Sequence, residues 1–175
     1  RLPSSRTTHI GTTEREHHMK PLLVILMGSP ADTEHCQAIA KASRALNVET
    51  ELRVGSAHRT PEHVLGLIRE YEANGRPKVY ITVAGRSNAL SGFTDPQVSA
   101  PVIACPPPGS EIDIWSSVRM PPGVACAYVA EPVNAAMFAA KILAPHDTAI
   151  AEAINTEQAR QRTRVTQADA EIRGA

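Results

Sequence analysis

Two rhythms of apolar and polar positions run through this chain. Leu22 to Met27 is an unbroken apolar run, closed by Gly28-Ser29-Pro30. Such a run bounded by turn residues predicts a central strand buried on both faces. From 32 to 46 the inward positions fall at Cys36, Ile39, Ala40, Ser43 and Leu46, which is helical spacing. Asp32 is placed to cap that helix and Asn47 to stop it. Glu49 to Val54 alternates, with Thr50, Leu52 and Val54 on one face, and predicts a half-exposed edge strand. Thr60 and Pro61 then open a second helix, whose buried face is expected at Val64, Leu65, Ile68 and Tyr71, with Gly75 ending it.

The same alternation continues to the end of the chain. Lys78 to Ala84 predicts a third strand that runs into Gly85-Arg86-Ser87-Asn88. Ala89 to Ser99 is rich in small residues and predicts a short helix. Val102 to Cys105 is the fourth strand, followed by Pro106-Pro107-Pro108-Gly109. Glu111 to Val118 reads as a short helix, 119 to 124 as a loop, and Cys126 to Val129 as the fifth strand. Ala135 to Leu143 predicts a closely packed helix stopped by Pro145. From Asp147 onward the period is helical, but residues 155 to 172 are mostly polar. Such a helix is either solvated or reaches another subunit.

Five strand–helix units predict an α/β domain: a three-layer α/β/α fold with a parallel five-stranded sheet in flavodoxin-like order, plus an extra C-terminal helix over 146–175. Residues 1–19 are polar and without period, and are expected to be a disordered tail or linker. The domain proper is expected over 20–175.

Composition removes several function classes. Hydrophobic residues make up 42% and charged residues 21%, with a formal net charge of zero. That is an ordinary globular balance, and it argues against nucleic acid as a partner. Aromatics at 3% leave too few rings to stack on bases. No apolar run is long enough for a membrane span, and no signal peptide is evident. Cys36, Cys105 and Cys126 are widely spaced and odd in number, which suggests a reducing compartment and buried thiols. The expected location is therefore cytoplasmic. The seven histidines form no metal-ligand pattern, so no metal is expected.

The candidate chemistry sits at three strand ends. Gly28, Ser29 and Asp32 join a buried strand to a helix N-terminus, where free amides and the helix dipole suit a phosphate. Asp32 could be only a cap, or could accept hydrogen bonds from sugar hydroxyls. Ser56, Ala57, His58 and Arg59 form the second loop, and Gly85, Arg86, Ser87 and Asn88 the third. Arg59 and Arg86 offer planar donors to phosphate or carboxylate, although either alone could be an ordinary surface arginine. His58 is the one group in these loops of a type that titrates near neutrality. Cys105 lacks an evident partner base in the sequence. The loops of a parallel sheet's carboxyl rim lie close together, which predicts one active site for a phosphorylated small molecule.

These loops carry a family resemblance. Met27-Gly28-Ser29-Pro30-Ala31-Asp32 resembles the phosphate loop of the PurE family, and Ser56-Ala57-His58-Arg59-Thr60-Pro61 resembles its second signature. That family comprises the carboxylases and mutases of the aminoimidazole ribonucleotide step of purine biosynthesis. The likeness covers about residues 22 to 145. Ala84 to Gly92, Cys105-Pro106-Pro107 and Asp113 to Pro121 resemble class II, which carboxylates 5-aminoimidazole ribonucleotide (AIR) directly with carbon dioxide to give 4-carboxy-5-aminoimidazole ribonucleotide (CAIR). Arg59 stands where class II often has lysine, as in the class I mutases of N5-carboxyaminoimidazole ribonucleotide. The segment from Pro108 to Ile112 is short for the family.

The resemblance implies that Ser29 and Arg59 contact the ribose phosphate and Asp32 the ribose. It implies that His58 moves the proton at imidazole C4, while Ser87 and the Gly85–Asn88 backbone line a pocket for carbon dioxide that Ser56 and Ala57 help shape. No metal, ATP or biotin is implied, and a homo-oligomer, an octamer, is. The competing readings are the class I mutase, the related carboxylase of nickel-pincer cofactor synthesis, and a non-catalytic nucleotide-binding module.

Overall fold

The computed structural model describes residues 19–174. The expectation of a tail over 1–19 lies almost wholly outside them. Within them the chain alternates β1 (Leu22–Met27), α1 (Thr33–Ala45), β2 (Glu49–Val54), α2 (Pro61–Glu72), β3 (Lys78–Val83), α3 (Leu90–Thr94), β4 (Val102–Ala104), α4 (Trp115–Val118), β5 (Ala127–Tyr128), α5 (Pro132–Leu143) and α6 (Thr148–Gly174). All strands are parallel, in the order β2-β1-β3-β4-β5. This is the flavodoxin-like order expected from the alternation.

The unbroken apolar run of β1 has a direct cause. Leu23, Ile25 and Met27 enter a core shared with α1, α5 and the first turns of α6. Leu22, Val24 and Leu26 enter a second core with α2 and Leu90. Successive strand residues face opposite layers, so a strand covered on both sides has no polar position to spare. β3 is buried throughout for the same reason, while β2 at the edge is half exposed.

Several boundaries differ from expectation. The buried face of α2 is Val64, Leu67, Ile68 and Tyr71. Leu65 is turned away and only half buried, because positions three and four apart share a helix face. The fourth ladder ends at Ala104, although the Cys105 amide still donates to Thr82 O at 2.9 Å. β5 is only two residues long, and Cys126 before it is half exposed rather than buried. Neither Asp32 nor Thr60 caps its helix through a side-chain bond. Ser29 instead caps the 3-10 turn Pro30–Asp32, accepting from the Ala31 amide at 3.2 Å. Asn47 does stop α1, with φ of +61°.

The C-terminal helix buries only Ile150 and Ile154, and its residues from 159 onward are exposed. No helix among the described residues is long and apolar enough to cross a membrane.

Candidate active site

The carboxyl ends of β1, β2 and β3 open on one cavity of about 620 Å³. It lies where the strand order reverses, between β1 and β3, which is the expected ligand position in an open parallel sheet. Its wall holds Gly28, Ser29 and Asp32 from the first loop, Ser56, Ala57, His58 and Arg59 from the second, and Gly85, Arg86 and Ser87 from the third. Three stretches separated by some 25 residues each thus meet around one space. A second hollow, of about 630 Å³, has walls made of helix faces of α1, α5 and α6 and carries none of these loops.

The first loop is shaped by close approach. The Gly28 amide donates to Val83 O at 2.8 Å, and a Cβ on Gly28 would sit 3.2 Å from the Ala84 Cβ. Glycine lets the two strand ends converge there. The 3-10 turn that follows is fastened by Thr33 Oγ1, which donates to Pro30 O. Since the Asp32 carboxylate is not spent on capping, it is free to face the cavity it lines. Burial raises its pKa, while nearby His35 and the Ser29 backbone pull it back down.

The second loop is closed by its own ends. The Ser56 amide donates to Thr60 Oγ1 at 3.0 Å, the Thr60 amide donates to Ser56 O at 2.8 Å, and the Arg59 amide donates to Ser56 Oγ at 3.3 Å. This clasp presents His58 and Arg59 outward, and both are exposed. The Arg59 guanidinium reaches across to donate to Gly28 O at 3.4 Å, which ties the second loop to the first. The remaining guanidinium donors stay available to an anion.

The third loop divides its residues between two tasks. Arg86 and Ser87 are exposed on the cavity wall, with Arg86 in the left-handed region at φ +56°. Asn88, expected among the substrate contacts, is not on that wall. Its side chain is buried and donates to Ser91 Oγ at 2.9 Å and Ser117 Oγ at 3.0 Å. Its carbonyl oxygen accepts from the Leu90 amide at 2.9 Å. Only its backbone amide belongs to the turn. Ala84, Ala89 and Leu90 complete the apolar wall. They were not among the expected site residues, although they flank the third loop directly in the sequence.

Cys105 has a neighbour the sequence did not reveal. His35 Nε2 lies 3.5 Å from its Sγ, seventy positions away in the chain. Among the described residues, no three His, Cys, Asp or Glu side chains converge as a metal site.

A parallel α/β sheet of this order, with guanidinium and hydroxyl donors and an exposed histidine around a cavity at its switch point, defines the class of small-molecule-binding α/β domains. The chain belongs to the AIR carboxylase family, whose model matches residues 22–164. The phosphoribosylaminoimidazole carboxylase of Treponema denticola is 46% identical over 158 residues, covering 89% of this chain and 99% of that protein. That of Archaeoglobus fulgidus is 45% identical over 153 residues, covering 86% and 84%. The human bifunctional phosphoribosylaminoimidazole carboxylase/phosphoribosylaminoimidazole succinocarboxamide synthetase is 45% identical over 123 residues, covering 69% of this chain and 29% of that protein. The crystal structure of Treponema denticola PurE matches with a TM-score of 0.85 at 46% identity, covering 87% of this chain and 98% of that one.

Proposed function

We propose that this protein carboxylates AIR at C4 with carbon dioxide to give CAIR, a step of purine biosynthesis, without ATP. The observation that carries the reading is the meeting of Ser29, Asp32, His58, Arg59 and the Gly85–Ser87 turn around one cavity. The names of relatives that match nearly the whole chain support it.

In this reading Ser29 and the Arg59 guanidinium hold the ribose phosphate, and Asp32 accepts from ribose hydroxyls. The amino group of AIR makes C4 electron-rich. C4 attacks the carbon of carbon dioxide, a C–C bond forms, and one C–O π pair moves onto oxygen to give the carboxylate. The C4 proton then leaves to His58 and passes to solvent, which restores the imidazole. AIR and carbon dioxide thus become CAIR and one proton. The protein contributes position and a proton acceptor. Arg86, Ser87 and the backbone of their turn shape the space for carbon dioxide, with Ser56 and Ala57.

The same reading includes a cytoplasmic homo-oligomer, an octamer, with α6 packed between subunits. Its support is the long exposed stretch of α6, which still carries Val165 and Ile172 on its surface. Light scattering on the intact protein gives the oligomer mass directly.

Two assays test the chemistry. One supplies AIR and bicarbonate without ATP; the other supplies fresh N5-carboxyaminoimidazole ribonucleotide with released carbon dioxide trapped. Product in the first alone is expected. Product in the second alone means a mutase, and product in neither means a non-catalytic module.

A further inference from the structure

We propose that Ser116 is a positioning residue for the Arg86–Asn88 turn and, through it, for the carboxyl donor. The donor part rests on the carboxylase reading above. Ser116 is not on the cavity wall; it stands behind the turn, on α4. Its Oγ accepts from the Asn88 amide at 2.8 Å, and the same oxygen lies 3.2 Å from Arg86 O and 2.7 Å from Asp113 O. One hydroxyl therefore spans both flanks of Ser87. It has a single proton, which the nearer Asp113 carbonyl and the Arg86 carbonyl compete for; its lone pair meets the Asn88 amide in either case.

The turn needs such a clasp. Arg86 has φ of +56°, a left-handed conformation that is strained for a residue with a Cβ. It persists only where the surroundings determine it. Ser116 holds the backbone on one side. Next to it, Ser117 accepts from the buried Asn88 amide group at 3.0 Å, so consecutive serines of α4 hold consecutive features of the loop. With the back of the turn fixed, Arg86 and Ser87 are left facing the cavity.

The consequence falls unequally on the two substrates. A ribonucleotide is anchored by its charged phosphate on the other two loops. Carbon dioxide is small and uncharged, so it depends on the shape and fixed dipoles of the third. Loss of the Ser116 hydroxyl loosens the donor pocket and leaves the ribonucleotide anchors in place.

The test is Ser116→Ala beside Ser116→Thr, which keeps the hydroxyl. Kinetics vary bicarbonate and AIR separately, and amide hydrogen exchange is followed at Asn88. For Ser116→Ala we expect kcat/KM for carbon dioxide to fall about tenfold or more, KM for AIR to stay within about twofold, and Asn88 exchange to quicken. Ser116→Thr restores most of the loss. An equal loss on both substrates, no loss at all, or a threonine variant no better than alanine overturns the proposal. If the wild-type protein shows no bicarbonate-dependent turnover, the carboxylase reading and the donor assignment fail together. Asn88 exchange then decides the turn-holding role alone, and unchanged exchange in Ser116→Ala overturns that too.

Discussion

Cys105 Sγ lies 3.5 Å from His35 Nε2 at the back of the first loop, a pairing that on distance alone resembles a thiol nucleophile with its base. The surroundings say otherwise. Cys105 is wholly buried, and burial, with Glu131 adding to it, pushes its thiol up to about 12. The thiolate is the reactive form, so this sulfur is inert at neutral pH. Cys105→Ala is expected to retain turnover within about threefold of wild type, since free cysteine packs as a small hydrophobe. Iodoacetamide at neutral pH should leave activity intact. Loss of turnover by more than about a hundredfold in Cys105→Ala would assign the thiol to the chemistry after all.

His58 stands exposed at the tip of a loop whose clasp, Ser56 with Thr60, does not involve its ring. His58→Asn is therefore expected to fold as wild type. Its turnover should fall by about 10²–10⁴, the usual worth of a general base, while calorimetry shows AIR binding nearly unchanged. Turnover like wild type's removes His58 from proton transfer.

For Asp32 the sign of the pH effect follows from its environment. Desolvation by burial raises its carboxyl above the ordinary 3.8, although His35 and the Ser29 backbone oppose the rise. A carboxyl raised in the folded state binds its proton more tightly there than in the unfolded chain. Its cost to folding is absent below the unfolded value near 3.8 and complete once pH exceeds the raised folded value. Asp32→Asn is thus expected to melt higher than wild type at pH 7, with the gap closing toward pH 4. The same variant should bind AIR more weakly, by about tenfold or more for a lost charged acceptor. A variant that melts lower at pH 7 contradicts the desolvation account.

Gly55 shows how tightly the second loop is seated. Its amide donates to Met27 O at 2.9 Å, and a Cβ there would fall 2.7 Å from Val64 Cγ2. Gly55→Ala is expected to cost about 1–3 kcal/mol, the range for an overpacked site. Thermal unfolding should show a drop of roughly 2–10 °C for a chain of this size. Because the loop carries His58 and Arg59, turnover should fall along with stability. An unshifted midpoint means Val64 yields without cost.

Much of this molecule was legible in one dimension. The apolar run of Leu22–Met27 and the alternation of Glu49–Val54 mark a central and an edge strand, because burial on two faces or one leaves different periods in a sequence. The convergence of three loops followed as well, since a parallel sheet brings every strand's carboxyl end to one rim. What needed the tertiary structure were relations across long separations and choices of direction within a turn. His35 meets Cys105, and Ser116 meets Asn88, because helices and strands far apart in the chain dock there. No local pattern encodes those pairs. Arg86 faces the cavity and the Asn88 side chain the interior because the backbone turns left-handed at Arg86, under the hold of serines that lie some thirty residues downstream. Residue types therefore marked which loops meet at the cavity. Packing decided which side chains in them line it.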